Sequence, residues 1–583
     1  MKGSLMTISA SKSPLRVAIV GAGYSGIAAA VRIKLAGFQD VTVFEKSDNV
    51  GGTWWDNRYP GAEVDTPSII YSFSYHPSVW SRTHVRQSEL LSYLEEVVQE
   101  FGLTENIRLG AEVRRAVWRA DQRRWAIEFA DGSSRSFDIL ISAVGFLSVP
   151  KRPTWPGLDR FAGEILHSAR WDSRVCLAGK SIASVGTGST AAQLVPVLAS
   201  LAGHLTVFQR EPGWILPKAA REFSPSERAA MESIAAQRIN RLGMLMRREK
   251  AQYRNAALRP GAKANAAAEA NARKYIASVF ASRPDLAEAV TPSYPYGGKR
   301  PILADDFYPA LLRENVTLVP AAVSAVDESG VFDSDGRHHA VDVLVLSTGF
   351  VTEFVTTYDV VGPAGSTLLD TWKGEPTSLA GIMTPGFPNF FMMYGPNTNG
   401  GSILTHFEAQ AHFIAKTLRV MCRRRADLVE ARPRAVKRFE QFVQHRLRGT
   451  SFYETRNYYT SPSGRVVTQW SDGPIVYTLV SRAARLLGVR TTRAASSDRR
   501  RALAGVPRRT ATPRAFRVTD LLRFRSVLRD VKVLRNADSG SMFAPSRMVA
   551  AEDAPAAVVV AAGAALDVCT NELLAGDELT LRR

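Results

Sequence analysis

The pattern of apolar and polar positions repeats itself in two distant parts of the chain. Each copy has a short apolar run, a glycine-rich turn, a longer segment rich in Ala and Leu, and a second apolar run. The copies are VAIVGAGYSGIAAAVRIKLAGFQDVTVFEK, from Val17, and SIASVGTGSTAAQLVPVLASLAGHLTVFQR, from Ser181. Short apolar runs on either side of a helix-length segment are typical of buried parallel strands joined by a helix. The repeat therefore predicts two strand–helix–strand units.

A second pair of similar segments extends this pattern. DILISAVG, from Asp138, and DVLVLSTG, from Asp342, each contain an apolar run that ends in small residues. Both are typical of a strand buried in a parallel sheet. The chain thus has a glycine loop, a closing strand, a second glycine loop and a second closing strand. This order predicts an α/β fold with two doubly wound, Rossmann-like dinucleotide-binding domains, the second inserted into the first.

The remaining segments complete the expected domain organisation. Residues 225–286 are rich in Ala, Arg, Glu and Met with few β-branched residues, which favours a helical insertion. A further helix is predicted from His406 to about Arg423, and residues 491–513 have the composition of a linker. We expect a first domain at 14–150 and 341–488, a second domain at 151–222 and 291–340, a helical insertion at 223–290, and a basic, disordered extension at 489–583.

Most of the positive charge lies in this C-terminal extension. The formal net charge is +19, and residues 485–535 alone contain 15 Arg or Lys against 3 Asp or Glu. A basic run can contact nucleic acid or anionic lipid, so an interaction protein is one hypothesis. Only Phe516 and Phe524 provide aromatic rings in the basic part, which is weak support for base stacking, and such runs are more often solvated. We therefore expect no nucleic-acid partner.

Hydropathy and cysteine usage indicate the cellular environment. No run of 18 apolar residues occurs, so no membrane span is expected, and the first 16 residues lack the apolar core of a signal peptide. The three cysteines, Cys176, Cys422 and Cys569, form neither a CxxC pair nor a metal-ligand spacing. This usage predicts no metal site and favours a reducing cytoplasm.

The first glycine-rich turn has the spacing of a dinucleotide-binding loop. Gly21, Gly23 and Gly26 form GxGxxG after a predicted strand, and Glu45 ends the next strand 19 residues later. The first two glycines permit a tight turn close to a pyrophosphate, and the third permits close helix–strand packing. A carboxylate at the position of Glu45 accepts hydrogen bonds from ribose hydroxyls. A purely structural turn is the alternative, but strand, helix and acid together favour a bound dinucleotide.

The second glycine-rich turn has no acid at the equivalent strand end. It forms a GxGxxA loop, whose expected cofactor contacts are Gly186, Thr187, Gly188, Ser189 and Ala191. The next strand ends in Arg210, and a cation there suits the 2′-phosphate of NADPH, with a solvated surface arginine as the alternative. Two dinucleotide sites indicate a flavoprotein that a nicotinamide reduces. Because the sequence has no redox-active cysteine pair, O₂ is the expected electron acceptor.

The segment between the two loops carries a family resemblance. FAGEILHSARWD, residues 161–172, resembles the FxGxxxHxxxW[P/D] fingerprint of the Baeyer–Villiger monooxygenases, the class B flavoprotein monooxygenases, through Phe161, Gly163, His167, Trp171 and Asp172. Three further segments resemble the same family: GGTWWDNRYPGAEVDTPSIIYSFS from Gly51, YPYGGKRPI from Tyr294 and YGPNTNGGS from Tyr394. The last is most similar to members of the 4-hydroxyacetophenone monooxygenase type. The resemblance extends over residues 14–488.

This resemblance implies a reaction and a set of residues. NADPH would reduce FAD, O₂ would add to give a C4a-peroxyflavin, and oxygen would be inserted beside a ketone carbonyl to give an ester or lactone. Arg300 matches the family's catalytic arginine, and Asp65 matches the carboxylate that positions it. The other implied cofactor contacts are Gly52, Thr53, Trp54, Tyr71, Lys299, Asn397 and Tyr458. Tyr458 departs from the Trp of many members, which changes the expected shape of the active site.

Two interpretations stay open beside this one. A related flavin monooxygenase that makes N-oxides, hydroxylamines or sulfoxides is the first, because a protonated flavin hydroperoxide is electrophilic. The pairing of Asp65 with Arg300 favours the peroxide anion, and so ketone oxygenation. The second concerns His167, since a lone histidine in a linker is more often a hydrogen-bonding residue than a catalyst. We expect it to pin the linker between the domains and to couple their motion.

Overall fold

The computed structural model describes residues 15–355, 357–455 and 457–493. The strands in chain order are β1 Val17–Val20, β2 Val41–Phe44, β3 Ile107–Arg108, β4 Val113–Arg119, β5 Arg124–Phe129, β6 Ser134–Phe137, β7 Ile139–Ser142, β8 Glu164–His167, β9 Ser181–Val185, β10 His204–Phe208, β11 Ile215–Leu216, β12 Ile302–Leu303, β13 Val316–Val319, β14 Val323–Val326, β15 Gly330–Asp333, β16 His338–Ala340, β17 Val343–Leu346, β18 Asp359–Val361, β19 Phe390–Met392, β20 Leu428–Ala431 and β21 Val489–Thr492. The helices are α1 Tyr24–Leu35, α2 Thr53–Asp56, α3 Gln87–Glu100, α4 Ser189–Leu201, α5 Pro225–Met231, α6 Ile234–Gln252, α7 Lys263–Val279, α8 Pro284–Val290, α9 Phe307–Leu311, α10 Leu368–Trp372, α11 Ile403–Arg424, α12 Pro433–Leu447 and α13 Pro474–Gly488.

The first glycine loop belongs to a parallel sheet of five strands in the order β19-β7-β1-β2-β3. The central strands β1 and β7 are buried along their whole length, which explains why VAIV and ILIS lack the polar alternation of a half-exposed strand. Helix α1 packs against α11 on one face of the sheet. The loop between β1 and α1 therefore opens between β2 and β7, at the carboxyl ends of the strands, where such sheets bind ligands.

The second glycine loop has the same setting in a second parallel sheet, with the order β13-β10-β9-β17-β8. Strand β9 lies between β10 and β17, as β1 lies between β2 and β7. Each sheet also has an antiparallel accessory meander, β4–β5–β6 in the first unit and β14–β15–β16 in the second. The expected α/β class with two doubly wound units is confirmed, and helices α5 to α8 form the expected helical insertion.

Two expected domain boundaries and one expected linker differ from the structure, in each case because a strand pairs across a long sequence separation. Strand β17 was expected at the start of the returning first domain, but it pairs with β8 and β9 in the second sheet. The segment 161–172 was described as a linker, yet Glu164–His167 is the edge strand β8 of the second sheet, which agrees with its expected place in the second domain. Residues 489–492 were assigned to the basic extension, but they pair with β20 as β21. The rest of that extension, 494–583, lies outside the described residues.

A helix that crosses a membrane must be both long and predominantly apolar. Within the part of the chain that the structure describes, none combines sufficient length with sufficient apolar character to cross a bilayer.

Candidate active site

A cavity of about 1700 Å³ connects the two parallel units. Its wall includes the carboxyl ends of β1 and β2, the first turn of α4 and the loop before β12. Pockets for one drug-sized molecule usually enclose about 300–1,000 Å³, so this cavity has room for larger ligands. The expected site residues that line it are Gly21, Gly23, Glu45, Gly52, Thr53, Trp54, Asp65, Tyr71, Ser189 and Arg300.

The first glycine loop is built so that only glycine fits at two positions. Gly21 has a φ of +104°, and a Cβ there would lie 2.6 Å from the carbonyl oxygen of Ala143, at the end of β7. A Cβ at Gly26 would lie 1.9 Å from the carbonyl oxygen of Gly21. Gly23 is the N-cap of α1, whose first turn has no acidic residue. No side chain caps this helix end, and Gly23, Tyr24 and Ser25 line the cavity, so the helix N-terminus is available to an anion there.

The second glycine loop has nearly the same backbone. Gly186 has a φ of +107°, and a Cβ there would lie 2.7 Å from the carbonyl oxygen of Ser347, at the end of β17. Gly188 is the N-cap of α4, again without an acid in the first turn. Ala191 replaces the third glycine and is fully buried, and Thr187 is also buried. Ser189 begins the helix and lines the cavity. The second loop thus repeats the helix-end geometry of the first.

Glu45 and Arg210 stand at equivalent strand ends but in different surroundings. Glu45 is buried beside the first loop, where its carboxylate accepts hydrogen bonds from the backbone N–H of Ala22 at 2.8 Å and of Ser47 at 3.0 Å. Arg210 lies two residues beyond β10 and is exposed. Lys299 forms an ion pair with Glu211, next to Arg210 in the sequence. The end of β10 therefore presents the exposed Arg210 beside a Lys299–Glu211 ion pair, whereas the end of β2 presents the buried carboxylate of Glu45.

The segment after β2 approaches the first loop directly. Gly52 has a φ of +55°, and a Cβ there would lie 3.0 Å from the Cα of Gly23. Thr53 begins the short helix α2, and the indole N–H of Trp54 donates to the hydroxyl of Tyr71 at 3.1 Å. Burial raises the pKa of Tyr71, so its hydroxyl stays protonated at neutral pH. These residues form a polar and aromatic wall beside the glycine loop.

Arg300 and Asp65 form an ion pair on the cavity wall, although they are 235 positions apart in the sequence. Asp65 raises the pKa of Arg300 further above its usual value, and the Arg300 side chain is 48% exposed. Burial raises the pKa of Asp65, but the positive charges of Arg300, Arg248 and Lys218 outweigh it and lower that pKa overall. Both groups are therefore charged at neutral pH, and the cavity contains a fixed cation with a fixed carboxylate beside it.

Several residues that sequence reasoning did not single out surround this pair. Tyr394 and Tyr459 both line the cavity, and Arg300 influences the pKa of each while burial raises it. The Tyr394 hydroxyl donates to the Asn399 side chain at 2.8 Å. Tyr394 opens the quoted segment YGPNTNGGS, so the motif contained the signal. Tyr459 had none beyond its position next to Tyr458.

Nine expected cofactor contacts are not among the described residues that line the cavity: Gly26, Gly186, Thr187, Gly188, Ala191, Arg210, Lys299, Asn397 and Tyr458. Asn397 is fully buried, and its amide nitrogen donates to the carbonyl oxygens of Val466 and Gln469, both at 2.9 Å. Tyr458 is 41% exposed, and its ring stacks at an angle on Tyr459 with centroids 4.5 Å apart. Neither residue is among the described residues that line the cavity. Asn397 instead organises the loop that carries Tyr394.

Within the fingerprint segment, Phe161 and Gly163 have packing roles. Phe161 is buried in the core between the second sheet and its meander. A Cβ at Gly163 would lie 2.2 Å from the carbonyl oxygen of Asp342, so only glycine lets β8 pack beside β17. Trp171 packs partly buried against the core of the second unit. Asp172 lies at the surface and pairs with Arg174 at 2.6 Å.

His167, at the end of β8, lies beside the two chain crossings, the segments near Lys151 and near Gly349 in which the chain passes between the units. Its Nδ1 accepts from the backbone N–H of Ala169 at 3.1 Å, and its Nε2 lies 3.5 Å from the Thr348 hydroxyl. The crossings are joined by the bond from Lys151 N–H to the Gly349 carbonyl, at 2.9 Å. Burial, with the nearby arginines, lowers the pKa of His167. The ring is thus neutral at pH 7 and contacts the crossing segment.

Comparison with known proteins agrees with this arrangement. A family model described as flavin-binding monooxygenase-like matches residues 14–248. A Baeyer–Villiger monooxygenase from Streptomyces coelicolor is 39% identical over 465 residues, which cover 78% of this chain and 88% of that protein. The chain belongs to the Baeyer–Villiger monooxygenase family. The resemblance seen in the fingerprint segment is thereby confirmed.

Solved structures and a second relative describe the range of this family. Cyclohexanone monooxygenase from Rhodococcus sp. Phi1, in a crystal structure bound to NADP⁺, matches with a TM-score of 0.75 at 29% identity. The match covers 83% of this chain and 100% of that chain. A phenazine N-monooxygenase from Lysobacter antibioticus is 31% identical over 444 residues, covering 69% of this chain and 81% of that protein. Relatives of this chain thus include oxygenases named for carbon and for nitrogen substrates.

Proposed function

We propose that this protein is an FAD-containing, NADPH-dependent monooxygenase that inserts one oxygen atom of O₂ into a ketone to give an ester or lactone. The observation that carries the proposal is the Arg300–Asp65 ion pair in the wall of a cavity that both glycine loops approach. The family membership supports the same reaction. Residues 15–150 with 347–492 would form the FAD-binding domain, and 151–222 with 291–346 the NADPH-binding domain.

The first unit fits FAD. The cavity wall includes backbone without a side chain at Gly21, Gly23 and Gly52. A Cβ at Gly21 or Gly52 would come within 3.0 Å of a neighbouring backbone atom. The first turn of α1 would hold the pyrophosphate, and the Glu45 carboxylate would accept from the ribose. The side chains of Trp54 and Tyr71 would contact the flavin part of FAD. Bound FAD, once reduced by NADPH, supplies the electrons that activate O₂.

The second unit would hold NADPH. Gly188 and Ser189 present the N-terminus of α4 to the pyrophosphate, while Gly186 permits the tight turn and Ala191 the helix packing. The exposed Arg210 lies just beyond β10, at the strand end where the 2′-phosphate is recognised in such domains. The acidic end of β2 would not accept that phosphate, which assigns the two cofactors to the two loops.

Arg300 would stabilise negative charge on oxygen during attack on the ketone. Its guanidinium keeps its proton because Asp65 raises its pKa, and Asp65 keeps its own charge because the surrounding cations lower its pKa. A charge that is already oriented before reaction needs no reorganisation, and its effect is strong where water is excluded. Asp65 would act by holding the guanidinium in place.

The direct test is a product assay with labelled oxygen. Purified protein should show the visible spectrum of bound oxidised flavin, and should convert cyclohexanone or acetophenone to the ester or lactone under NADPH and ¹⁸O₂. Mass spectrometry is expected to find one ¹⁸O atom in each product molecule. A colourless protein, or NADPH oxidation without any ester from a panel of ketones, would contradict the proposal.

Nitrogen oxygenation is the second candidate function, favoured by the phenazine N-monooxygenase among the relatives. It would use the same cofactors with an electrophilic oxygen. Parallel assays with a ketone and with an aromatic amine or N-heterocycle separate the two reactions. A product only from the nitrogen substrate would replace ketone oxygenation as the proposed function.

We propose a cytoplasmic location on the chemistry of the cysteines. Cys176 and Cys422 are free thiols, and Cys422 is partly buried. Free thiols persist in a reducing compartment.

Replacing Arg210 by alanine is expected to raise the KM for NADPH about 10- to 100-fold more than the KM for NADH, because a charge-assisted contact with the 2′-phosphate contributes roughly 1.5–3 kcal/mol. Steady-state kinetics with both nucleotides measures the ratio. Arg337→Ala, which removes an exposed arginine from the turn between β15 and β16, is the matched control and should leave the ratio unchanged. An unchanged ratio in Arg210→Ala would remove Arg210 from the site.

Replacing His167 by alanine is expected to slow turnover several-fold while FAD stays bound, since hydrogen bonds worth about 1 kcal/mol at the chain crossings are lost. The flavin absorbance per protein and the turnover number are the two readouts. Because the ring is neutral and structural, the pH dependence of turnover should not change. Loss of FAD from this variant would instead identify β8 as a folding element of the flavin site.

A further inference from the structure

The segment of residues 59–65 belongs in sequence to the first unit but packs on the second. Tyr59 and Ala62 are buried in the hydrophobic core of the second unit, together with residues of α4. Gly61 has a φ of +84°, and a Cβ there would lie 2.5 Å from the carbonyl oxygen of Gln193 on α4. The backbone of this segment is therefore in direct contact with the helix, two to four residues before Asp65.

Gln193 holds this segment with its side chain. Its Oε1 accepts from the Tyr59 hydroxyl at 2.8 Å and from the backbone N–H of Glu63 at 3.2 Å. Its Nε2 donates to the backbone carbonyl of Glu63 at 2.9 Å. Both backbone groups of one residue are thus held by a single side chain, which restrains the position and the orientation of the peptide.

The side chain of Glu63 is held by the same unit. Lys218, whose side chain is 1% exposed, forms an ion pair with the Glu63 carboxylate. The Lys218 backbone N–H donates to Asp305 at 2.7 Å, just beyond β12. Strand β12 begins two residues after Arg300 and pairs with β11, which ends two residues before Lys218. The segments that carry Asp65 and Arg300 are therefore both held by the same part of the second unit, formed by β11, β12 and Lys218.

We infer that Gln193 is a positioning residue that sets the Asp65–Arg300 ion pair from the nucleotide-binding helix. Gln193 lies one turn beyond Ser189, so the helix whose first turn is proposed to bind NADPH also restrains the residue two positions before Asp65. The inference rests on the proposed function, because the rate of ester formation is what its test measures. Gln193 restrains the position of the Asp65 carboxylate, and the carboxylate in turn restrains the direction of the Arg300 guanidinium.

The test is a double-mutant cycle with Gln193→Met, which keeps similar volume and loses all three hydrogen bonds. This variant should retain FAD, and its rate of ester formation should fall about 10-fold, with a matching rise in NADPH consumed as hydrogen peroxide. In an Asp65→Ala background the same change should alter the ester rate less than about 2-fold, because the residue through which it acts is already absent. If Gln193 had only a structural role, Gln193→Met would lower the melting temperature and would reduce the rate of ester formation by the same factor in the wild-type and Asp65→Ala backgrounds.

Two further variants complete the design. Tyr59→Phe removes only one hydroxyl from the Gln193 contact and should uncouple turnover in the same direction by about 3-fold. It serves as the test if Gln193→Met does not fold. Ser200→Ala, on the last turn of α4, removes a bond to the Val197 carbonyl alone and should leave coupling unchanged. Wild-type coupling in both Gln193→Met and Tyr59→Phe, or additive effects with Asp65→Ala, would overturn the inference.

Failure of the inference and failure of the proposed function give different results. If the wild-type protein forms no ester from ketones, the proposed function is wrong, whatever the variants do. If the wild type forms ester and Gln193→Met forms it equally well, only the role of Gln193 is wrong.

Discussion

Replacing Arg300 by alanine is expected to reduce the rate of ketone oxygenation about 100- to 1000-fold, while FAD stays bound and NADPH still reduces it. Removing one preorganised charge from such a site costs roughly 3–4 kcal/mol of transition-state stabilisation. Flavin binding should survive, because the first glycine loop and Glu45 follow β1 and β2 in the first unit, whereas Arg300 belongs to the loop before β12. Electrons from NADPH should then leave as hydrogen peroxide, which a peroxidase-coupled assay measures alongside ester formation.

The matched control for this variant is Arg283→Ala. Arg283 forms an exposed ion pair with Asp285 at 2.7 Å and lies outside the cavity wall, so its removal should leave the ester rate unchanged. Asp65→Ala should resemble Arg300→Ala but be milder, because the cation remains and loses only its orientation. Normal ester formation by the Arg300 variant would show that the arginine is a bystander, and the proposed reaction would lose its main support in the site.

Replacing Gly26 by alanine is expected to empty the flavin site. The added Cβ would lie 1.9 Å from the backbone carbonyl oxygen of Gly21, so the loop itself must move. Overpacking of this kind costs about 1–3 kcal/mol, which corresponds to about 10- to 100-fold weaker binding if the distortion falls on the loop. The ratio of flavin to protein absorbance after purification, and FAD titration of the apoprotein, measure the effect.

Gly243→Ala provides the control for a glycine-to-alanine change as such. Gly243 lies within α6, and a Cβ there would meet only the end of the Arg247 side chain, at 3.6 Å. Alanine is the better helix former, so this variant should keep its FAD and be no less stable than the wild type. Full flavin occupancy in Gly26→Ala would show that the first loop tolerates the shift, and would remove it as the determinant of FAD binding.

The structure also explains why some expected cofactor contacts failed to reach the cavity. Asn397 and Tyr458 were assigned by position within similar segments, and such an assignment carries no information on side-chain direction. The Asn397 side chain donates both amide hydrogens to backbone carbonyls, and the exposed Tyr458 ring packs against Tyr459. Arg210 lies at the expected strand end, but its role stays a prediction until the two nucleotides are compared.

The sequence by itself determined the features that depend on neighbouring residues. The apolar runs at β1 and β9, the glycine spacings after them and the helix-rich insertion are local patterns. The steric demand at Gly26 is local as well, because a Cβ there would meet the carbonyl oxygen of Gly21 in the same turn. Sheet order was decided only by the tertiary structure, since β8 and β17 pair residues that are 179 positions apart, such as Glu164 and Val343, and no local period distinguishes one buried strand from another. The same applies to the Arg300–Asp65 pair and to Gln193. Their partners come from different units, so long-range packing alone brings their side chains within reach.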